Sequence, residues 1–296
     1  MAADPTGLNA VVKESLDRHL GDIEKAMDRD AVAVYGPIVS GLDLGVRDAI
    51  EALDARNAKK RIAVILDTPG GSAEVVERMV DTIRSFYDDV AFVIPDKAMS
   101  AGTIFAMSGD SIHMDYFSRL GPIDPQIWKE DRFVPALSYL IQYERLLEKD
   151  RRGELTNAEF ALLSKFDLAE LHQFEQARAL SITLLKKWLA SYKFKNWTET
   201  QTKRTSVTPE MRVKRAEDIA TALSDNTRWH SHGRGISRFT LESDDIKLKI
   251  DDLAAFSEAD SHSTDLRTSV RKYHHCLSDY MRTVKAGIFV HSRAYF

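Results

Sequence analysis

The sequence predicts an α/β fold with a mainly parallel sheet, followed by a helical extension. Short continuous apolar runs alternate with segments of helical period, and short connections join them. The runs at residues 31–35, 62–66 and 90–94 have the length and composition of strands buried on both faces. Strands that alternate with helices in this way form parallel sheets flanked by helices.

Helices and one further strand fill the rest of this first part of the chain. Residues 11–28 alternate apolar and charged positions at helical spacing, which predicts an amphipathic N-terminal helix. The apolar spacing also predicts helices over residues 46–53, 72–86 and 103–107 and a fourth strand over 111–114.

After Gln126 the composition changes and helical patterns dominate. We predict helices over residues 135–147 and 265–285, and a third from Thr208 to about residue 223. A capping box at Thr156 and Glu159 predicts the start of one long helical stretch that ends at Trp188. Residues 195–208 and 224–235 read as loops, and 247–252 as an edge strand. The predicted division is an N-terminal helix (1–30), a core (31–127) and an extension with a short C-terminal strand and helix (128–296), packed on the core.

Composition excludes several function classes. The 296 residues carry 41 Lys and Arg against 45 Asp and Glu, a net charge of −4, so we expect no nucleic-acid partner. The single cysteine, Cys276, excludes an intrachain disulfide and fits a reducing, cytoplasmic location. We expect no secretory leader, because the first residues show no basic stretch followed by an apolar core, and no membrane-spanning helix, because no apolar run is long enough.

Two turns stand out as candidate chemistry. Residues 67–72 (DTPGGS) follow one predicted strand, and residues 99–103 (MSAGT) follow the next. The carboxyl ends of parallel strands are where α/β sheets bind ligands. Glycine pairs allow close backbone approach, and a serine at a helix start beside bare N–H groups provides the parts needed for acyl transfer. Ordinary capping turns or a phosphate loop remain alternatives, although no glycine-rich phosphate motif is present.

Three segments carry a resemblance to a known superfamily. Residues 62–72 (IAVILDTPGGS), 98–109 (AMSAGTIFAMSG) and 118–126 (SRLGPIDPQ) resemble the Clp-protease and signal-peptide-peptidase-A class of serine peptidases, closest to the serine dehydrogenase proteinase branch. The resemblance implies a ClpP/crotonase-like stack of β-β-α units with a helical C-terminal extension. By position it implies Ser100 as nucleophile, Gly71 with Gly70 beside it as one oxyanion donor, and the Ala101 N–H as the other.

The general base departs from the pattern of that class. Clp-type enzymes carry a histidine about 25 residues after the serine, whereas residues 120–125 (LGPIDP) contain none. His232, in residues 229–236 (WHSHGRGI), matches a histidine of the branch best, and imidazole suits proton transfer at neutral pH. A lysine is the alternative, and Asp124 could orient the base. We interpret His113 as structural. The candidate lysines are Lys129, Lys149, Lys165, Lys186 and Lys187.

The leading hypothesis is a serine endopeptidase that hydrolyses peptide bonds through an acyl-enzyme on Ser100. The alternatives are a catalytically silent, ClpP-like oligomeric scaffold or peptide-binding protein, and an acyl-CoA enzyme of crotonase type. The resemblance implies a homo-oligomer, and a membrane-protein partner stays open. No cofactor is predicted. No metal is predicted either, because adjacent helix residues such as His274, His275 and Cys276 point in different directions.

Overall fold

The four strands predicted at residues 31–35, 62–66, 90–94 and 111–114 are present, and further strands that were not predicted accompany them. The computed structural model describes residues 7–55, 60–123, 126–129, 132–200, 204–257 and 265–296. The strands are β1 (Asp30–Tyr35), β2 (Arg61–Asp67), β3 (Asp89–Ile94), β4 (Lys97–Ala98), β5 (Ser111–Met114), β6 (Arg119–Leu120), β7 (Gln126–Lys129), β8 (Arg132–Pro135), β9 (Ile236–Ser237), β10 (Asp251–Asp252) and β11 (Phe289–His291).

The helices include those predicted from the sequence, one of them divided in two, and two short ones that were not predicted. They are α1 (Leu8–Met27), α2 (Leu42–Asp54), α3 (Ala73–Phe86), α4 (Ala101–Ala106), α5 (Ala136–Arg151), α6 (Asn157–Leu163), α7 (Leu168–Trp188), α8 (Pro209–Ser224), α9 (Asn226–Trp229), α10 (Arg238–Glu242) and α11 (Leu266–Val284). A π-helical segment, Leu189–Lys193, continues α7, and a 3-10 segment covers Leu253–Ser257. Among the described residues, no helix is long and apolar enough to cross a membrane.

The main sheet has six strands in the order β10-β5-β3-β2-β1-β11. All neighbours pair in parallel except β1 and β11, which are antiparallel. The carboxyl ends of β2 and β3 therefore lie at the same edge, where both predicted motifs begin. Both outer strands come from beyond residue 127, so the extension completes the sheet of the core. The division at residues 30 and 127 remains a prediction.

Helices cover both faces of this sheet, and β1 shows how the sequence assigns the faces. Val32 and Val34 face a layer built by α2, α3, α4, α7 and α8. Ala31, Ala33 and Tyr35 face α1 and α11. Because successive strand residues point to opposite faces, a continuous apolar run is what two covered faces require.

The long helix predicted from Thr156 to Trp188 is in fact two helices. The capping box is present, since the Glu159 N–H donates to Thr156 Oγ1 at 3.2 Å and the Thr156 N–H donates to the Glu159 carboxylate at 3.0 Å. However, α6 ends at Leu163, and α7 starts afresh with Asp167 as its cap. The Asp167 carboxylate accepts from the Ala169 N–H at 2.8 Å, and this local bond begins a new helix.

Two other predicted segments are also corrected. Of residues 247–252, only Asp251 and Asp252 pair with the sheet, in parallel beside β5. The predicted loop at 224–235 contains α9, whose Trp229 is buried and donates its indole N–H to the Ala222 carbonyl at 2.8 Å. Tertiary packing decides both cases, because neither segment has a local pattern that fixes its state.

Candidate active site

Ser100 lies in a strained turn between β4 and α4. The Gly102 N–H donates to the Met99 carbonyl at 2.8 Å, which closes the turn around Ser100 and Ala101. Ser100 has φ 52° and ψ −118°, a region that turns usually give to glycine. Holding a non-glycine residue there costs of order 1–3 kcal/mol, and such strain is concentrated at functional sites.

The diglycine turn after β2 touches this serine. Gly70 has φ 103°, and a Cβ atom built on it would lie 2.9 Å from Ser100 Cβ and 2.7 Å from the Met99 carbonyl oxygen. No real Cβ atom fits at those distances, so only glycine permits this approach. The two motifs, which lie some 30 residues apart in the sequence, therefore meet at the carboxyl edge of the sheet.

The two glycines play different parts in this turn. The Gly70 N–H is already used, since it donates to Thr68 Oγ1 at 3.0 Å. On either side of Gly71, the Gly70 carbonyl accepts from the Ile38 N–H at 2.8 Å and the Ser72 N–H donates to the Ile38 carbonyl at 2.9 Å. Since an extended chain turns successive N–H groups to opposite sides, the Gly71 N–H points away from Ile38.

Two backbone donors are left beside Ser100. Within the part of the chain that the structure describes, neither the Gly71 N–H nor the Ala101 N–H donates a hydrogen bond. An unbonded N–H that is not satisfied by protein must find water or a ligand. Gly71 and Ala101 thus offer bare N–H groups beside Ser100, whereas Gly70 contributes the close approach. The role of these N–H groups as oxyanion donors stays a prediction.

All five predicted site residues line one cavity of about 590 Å³: Gly70, Gly71, Ser100, Ala101 and His232. Most of the remaining wall is apolar. It comprises Pro37, Ile38, Val39, Pro69, Ala73, Ile104, Ile123, Ala177 and Leu180. Ala177 and Leu180 belong to α7, so the helical extension closes a site whose other walls come from the core. No local signal in α7 could have revealed this contribution.

His232 reaches the cavity from a distant loop. The next strand, β9, pairs with β6, placing Ile236 opposite Leu120 and fastening the loop to the core. Burial lowers the pKa of His232 below its usual 6.5, so the imidazole is neutral near pH 7. Among the described residues, the Ser100 side chain forms no hydrogen bond. In unliganded enzymes such bonds are often long and tighten only with substrate.

The alternative bases predicted from sequence lie elsewhere. Of the described lysines, none lines the cavity around Ser100. Lys149 pairs with Glu159, Lys186 with Glu217 at 2.8 Å, and Lys187 with Glu77 at 4.0 Å. Lys165 is exposed on the surface.

The other predicted candidates are Asp124, Lys129 and His113. Asp124 and the side chain of Lys129 lie outside the described residues. His113 is buried in β5, where its Nε2 bonds with Ser111 Oγ at 2.9 Å, and it lines a different cavity. Its burial lowers the pKa to about 4, which keeps the ring neutral as a structural histidine.

Sequence reasoning missed two buried threonines that hold the site together. Besides Thr68, Thr103 is fully buried; its Oγ1 lies 2.8 Å from the carbonyls of Ala98 and Gly121 and accepts from the Gly121 N–H at 2.9 Å. This hydroxyl ties the strand before Ser100 to the loop after β6. A polar residue in the apolar helix after the serine was the available signal.

One group of side chains could hold a metal ion. Ligand atoms of Asp67, Asp96 and His274 all lie within 4.8 Å of one another. Burial, with the charge of Asp96 beside it, raises the pKa of Asp67 to about 6. His274 thus meets the carboxylates of Asp67, at the end of β2, and Asp96, in the turn between β3 and β4.

The chain is similar to several known proteins. A family described as ClpP-like SDH-type serine proteinase matches residues 29–227. An uncharacterised protein of Methanocaldococcus jannaschii is 32% identical over 115 residues, which are 39% of this chain and 36% of that protein. The ATP-dependent Clp protease proteolytic subunit of Lactococcus lactis subsp. cremoris is 33% identical over 89 residues, 30% of this chain and 45% of that subunit.

The similarity to these relatives is partial. The chain spans less than half the length of the curated relatives it matches. Among solved structures, a mutant of the 1510-N membrane-bound stomatin-specific protease aligns with a TM-score of 0.36 and 18% identity, over 63% of this chain and 75% of that one.

Proposed function

Because this chain belongs to the ClpP-like SDH-type serine proteinase family, we propose that it hydrolyses peptide bonds through an acyl-enzyme on Ser100. One observation supports this most directly. Ser100 stands in a strained turn, in contact with Gly70, with the unbonded N–H groups of Gly71 and Ala101 on the same cavity. A nucleophile beside two free backbone donors is the arrangement that acyl transfer needs.

In the proposed mechanism, Ser100 Oγ attacks the scissile carbonyl while its proton passes to a neutral imidazole, that of His232. The carbonyl oxygen becomes an oxyanion, which the Gly71 and Ala101 N–H groups stabilise by hydrogen bonds formed fully only in the transition state. The imidazolium then protonates the departing amine, leaving Ser100 acylated. Water attacks the ester with His232 again accepting a proton, and the acid product leaves.

The cavity also bears on the substrate. Its wall beyond the catalytic groups is mostly aliphatic, with Ile38, Ile104 and Leu180 among the largest side chains. Burying a matching aliphatic side chain contributes about 1.5–3 kcal/mol of binding free energy. We therefore expect peptides with an apolar residue at the scissile bond. The proposal retains the predicted cytoplasmic location, homo-oligomeric assembly and open question of a membrane-protein partner.

Covalent labelling tests the proposal. A fluorophosphonate should modify the wild-type chain at Ser100, and Ser100→Ala should abolish both labelling and the release of peptides from unfolded casein. Ser181→Ala is the matched control, because Ser181 lines the same cavity and bonds to the Ala177 carbonyl. Equal labelling of Ser100→Ala and wild type, mapped to another residue by mass spectrometry, would contradict the assignment.

The silent scaffold remains the second candidate. It is favoured by the absence of a histidine from residues 120–125, where Clp-type enzymes carry one. A chain that binds a peptide in this cavity but neither cleaves it nor reacts with the fluorophosphonate, in the oligomeric state found in solution, would establish this alternative.

A further inference from the structure

A second and larger cavity lies at the amino ends of the strands of the main sheet, opposite the carboxyl ends near Ser100. Its volume is about 810 Å³, against about 590 Å³ for the cavity around Ser100. Arg29, which precedes β1, and Ser111, which begins β5, both line it. These are amino ends of parallel strands, so the length of one strand, about 20 Å for six residues, separates this cavity from the catalytic edge.

A π-helical segment builds one wall of this cavity. The Phe194 N–H donates to the Leu189 carbonyl at 2.9 Å, five residues back, so the helix is widened by one residue here. Tyr192, Lys193 and Phe194 all line the cavity, although an ordinary α-helix would direct three successive side chains in different directions. Such local widening is rare and often occurs at functional sites.

The same wall is aromatic. The rings of Phe194 and Trp197 pack edge to face, with centroids 5.9 Å apart, and both residues are only partly buried. Their free surface faces the cavity, where a flat apolar group would remove it from water. Aromatic side chains around a cavity of this size are typical of sites for small molecules.

In this cavity the acidic side chains form ion pairs, whereas two of the described basic side chains do not. Its three acidic residues each meet a cation: Asp110 contacts Lys195 at 2.5 Å, Asp251 contacts Lys249 at 3.8 Å and Glu199 contacts Arg204 at 3.6 Å. Among the described residues, neither Lys193 nor Arg215 forms an ion pair with a carboxylate. The Arg215 guanidinium bonds instead to the Ile246 carbonyl.

Lys193 shows the electrostatic consequence. Burial lowers the pKa of its ammonium to about 8, with Asp251 and Asp110 opposing the shift and Lys249 reinforcing it. Keeping this group charged in the cavity is unfavourable, and an anion placed beside it would relieve that cost. The anion would also find the guanidinium of Arg215 on the same cavity.

We propose that this cavity is a second binding site, which takes a small anionic molecule carrying a flat aromatic group. The anion lies between Lys193 and Arg215, and the flat group packs against Phe194 and Trp197. The site goes beyond the proposed peptidase function, because none of these four residues lines the cavity around Ser100. Binding there does not depend on an active nucleophile.

Pyridoxal 5′-phosphate is a suitable probe, because it is an aromatic anion whose aldehyde reacts with neutral amines. The Lys193 nitrogen attacks the aldehyde carbon, water leaves, and borohydride reduces the imine to a stable amine. We expect mass spectrometry to find Lys193 labelled at least tenfold faster at pH 7.5 than Lys187, an exposed lysine on the preceding helix. Running the reaction on Ser100→Ala keeps it independent of peptidase activity.

Protection experiments separate charge from shape. 2-Naphthoate should slow labelling of Lys193 at least fivefold, whereas neutral 2-naphthamide and inorganic phosphate at the same concentration should not. Arg215→Met should weaken the protection by 2-naphthoate at least fivefold, and Lys214→Met, an exposed change on the same helix, should leave it unchanged. Circular dichroism checks that each variant is folded.

The proposal is overturned if Lys193 labels no faster than Lys187, or if naphthoate fails to protect it. Equal protection by 2-naphthamide would show that charge has no part, and equal protection by phosphate would show that the aromatic wall has none. Either result contradicts the site as stated. If Arg215→Met does not fold, the labelling rates of Lys193 and Lys187 in the chain with an unchanged Arg215 still decide whether Lys193 is the more reactive.

Discussion

The two cavities lie at opposite ends of the same parallel strands, and they are built in different ways. The carboxyl-edge cavity has mostly aliphatic walls around Ser100, and backbone groups supply its bare donors. The amino-edge cavity is larger and has charged and aromatic side chains around Lys193. Both cavities lie at strand ends. In one of them main-chain N–H groups provide the polar contacts, and in the other charged side chains provide them.

Each cavity also contains an unfavourable feature of its own kind. At the carboxyl edge it is backbone strain, since Ser100 has φ 52°. At the amino edge it is a desolvated ammonium, since the pKa of Lys193 is lowered to about 8. Backbone strain and a desolvated charge both persist only where the surrounding fold enforces them. Both are concentrated at functional sites. The difference fits the two proposals, which are chemistry on an uncharged bond at the carboxyl ends of the strands and binding of a charged ligand at their amino ends.

The largest expected effect concerns the proposed base. His232→Gln should lower kcat/KM for peptide hydrolysis about 100- to 10,000-fold, the usual contribution of general base catalysis. Since burial lowers the pKa of His232, wild-type activity should persist at neutral pH and fall only as pH drops through a midpoint below 6.5. A pH profile between 5 and 9 measures this.

The control for this prediction is His230→Asn. His230 is exposed and has φ 61°, which asparagine tolerates, and it does not line the cavity. A midpoint above 6.5, or unchanged activity in His232→Gln, would remove His232 from the mechanism and would make the carboxyl edge depend on backbone groups alone.

The next effect tests the backbone geometry of the same cavity. Gly70→Ala should reduce kcat/KM about 100- to 1,000-fold, because the new Cβ would lie 2.7 Å from the Met99 carbonyl oxygen and displace the turn around Ser100. The fluorophosphonate labelling rate and kcat/KM measure the loss.

Gly153→Ala is the matched variant for Gly70→Ala. Gly153 also has a positive φ, of 70°, but no atom lies within 4 Å of a Cβ built there. It should lose about 1–2 kcal/mol of stability from the left-handed conformation and keep its activity. Equal activity in the two alanine variants would show that close approach at Gly70 is unimportant.

The smallest expected effect is a change in the free energy of unfolding when Lys193, in the cavity at the amino ends of the strands, is replaced. The folded pKa of Lys193, about 8, is below the unfolded value of 10.5, so the cost of its charge is fully present below pH 8 and is relieved as pH rises toward 10.5. Lys193→Met should therefore raise the free energy of unfolding at pH 7 by about 1–3 kcal/mol. The gain should shrink at pH 9.5.

Urea denaturation at the two pH values measures this change, with Lys187→Met as the exposed control. A loss of stability in Lys193→Met at pH 7 would show that the ammonium already has a favourable partner in the folded chain. In that case the amino edge would not be prepared for an anion, and the contrast between the two cavities would disappear.

The α/β fold and the meeting of the two motifs followed well from the sequence. Residues 31–35, 62–66 and 90–94 lie inside strands of the main sheet, and Ser100 and Gly70 meet at its carboxyl edge as their positions after neighbouring strands predict. The serine peptidase class also follows, because the motifs carry the family similarity. The division into domains and the roles of the site residues stay predictions.

What the sequence by itself determined is local: which residues alternate with the period of a strand or helix, and which turns need glycine. The tertiary structure alone decided that α7 closes the cavity around Ser100 and that Thr68 accepts from the Gly70 N–H. It also decided that Lys193 has no carboxylate ion-pair partner among the residues that the structure describes. The reason is physical. Periodicity and turn conformation depend on neighbouring residues, whereas burial, charge pairing and the shape of a cavity depend on segments far apart in the chain.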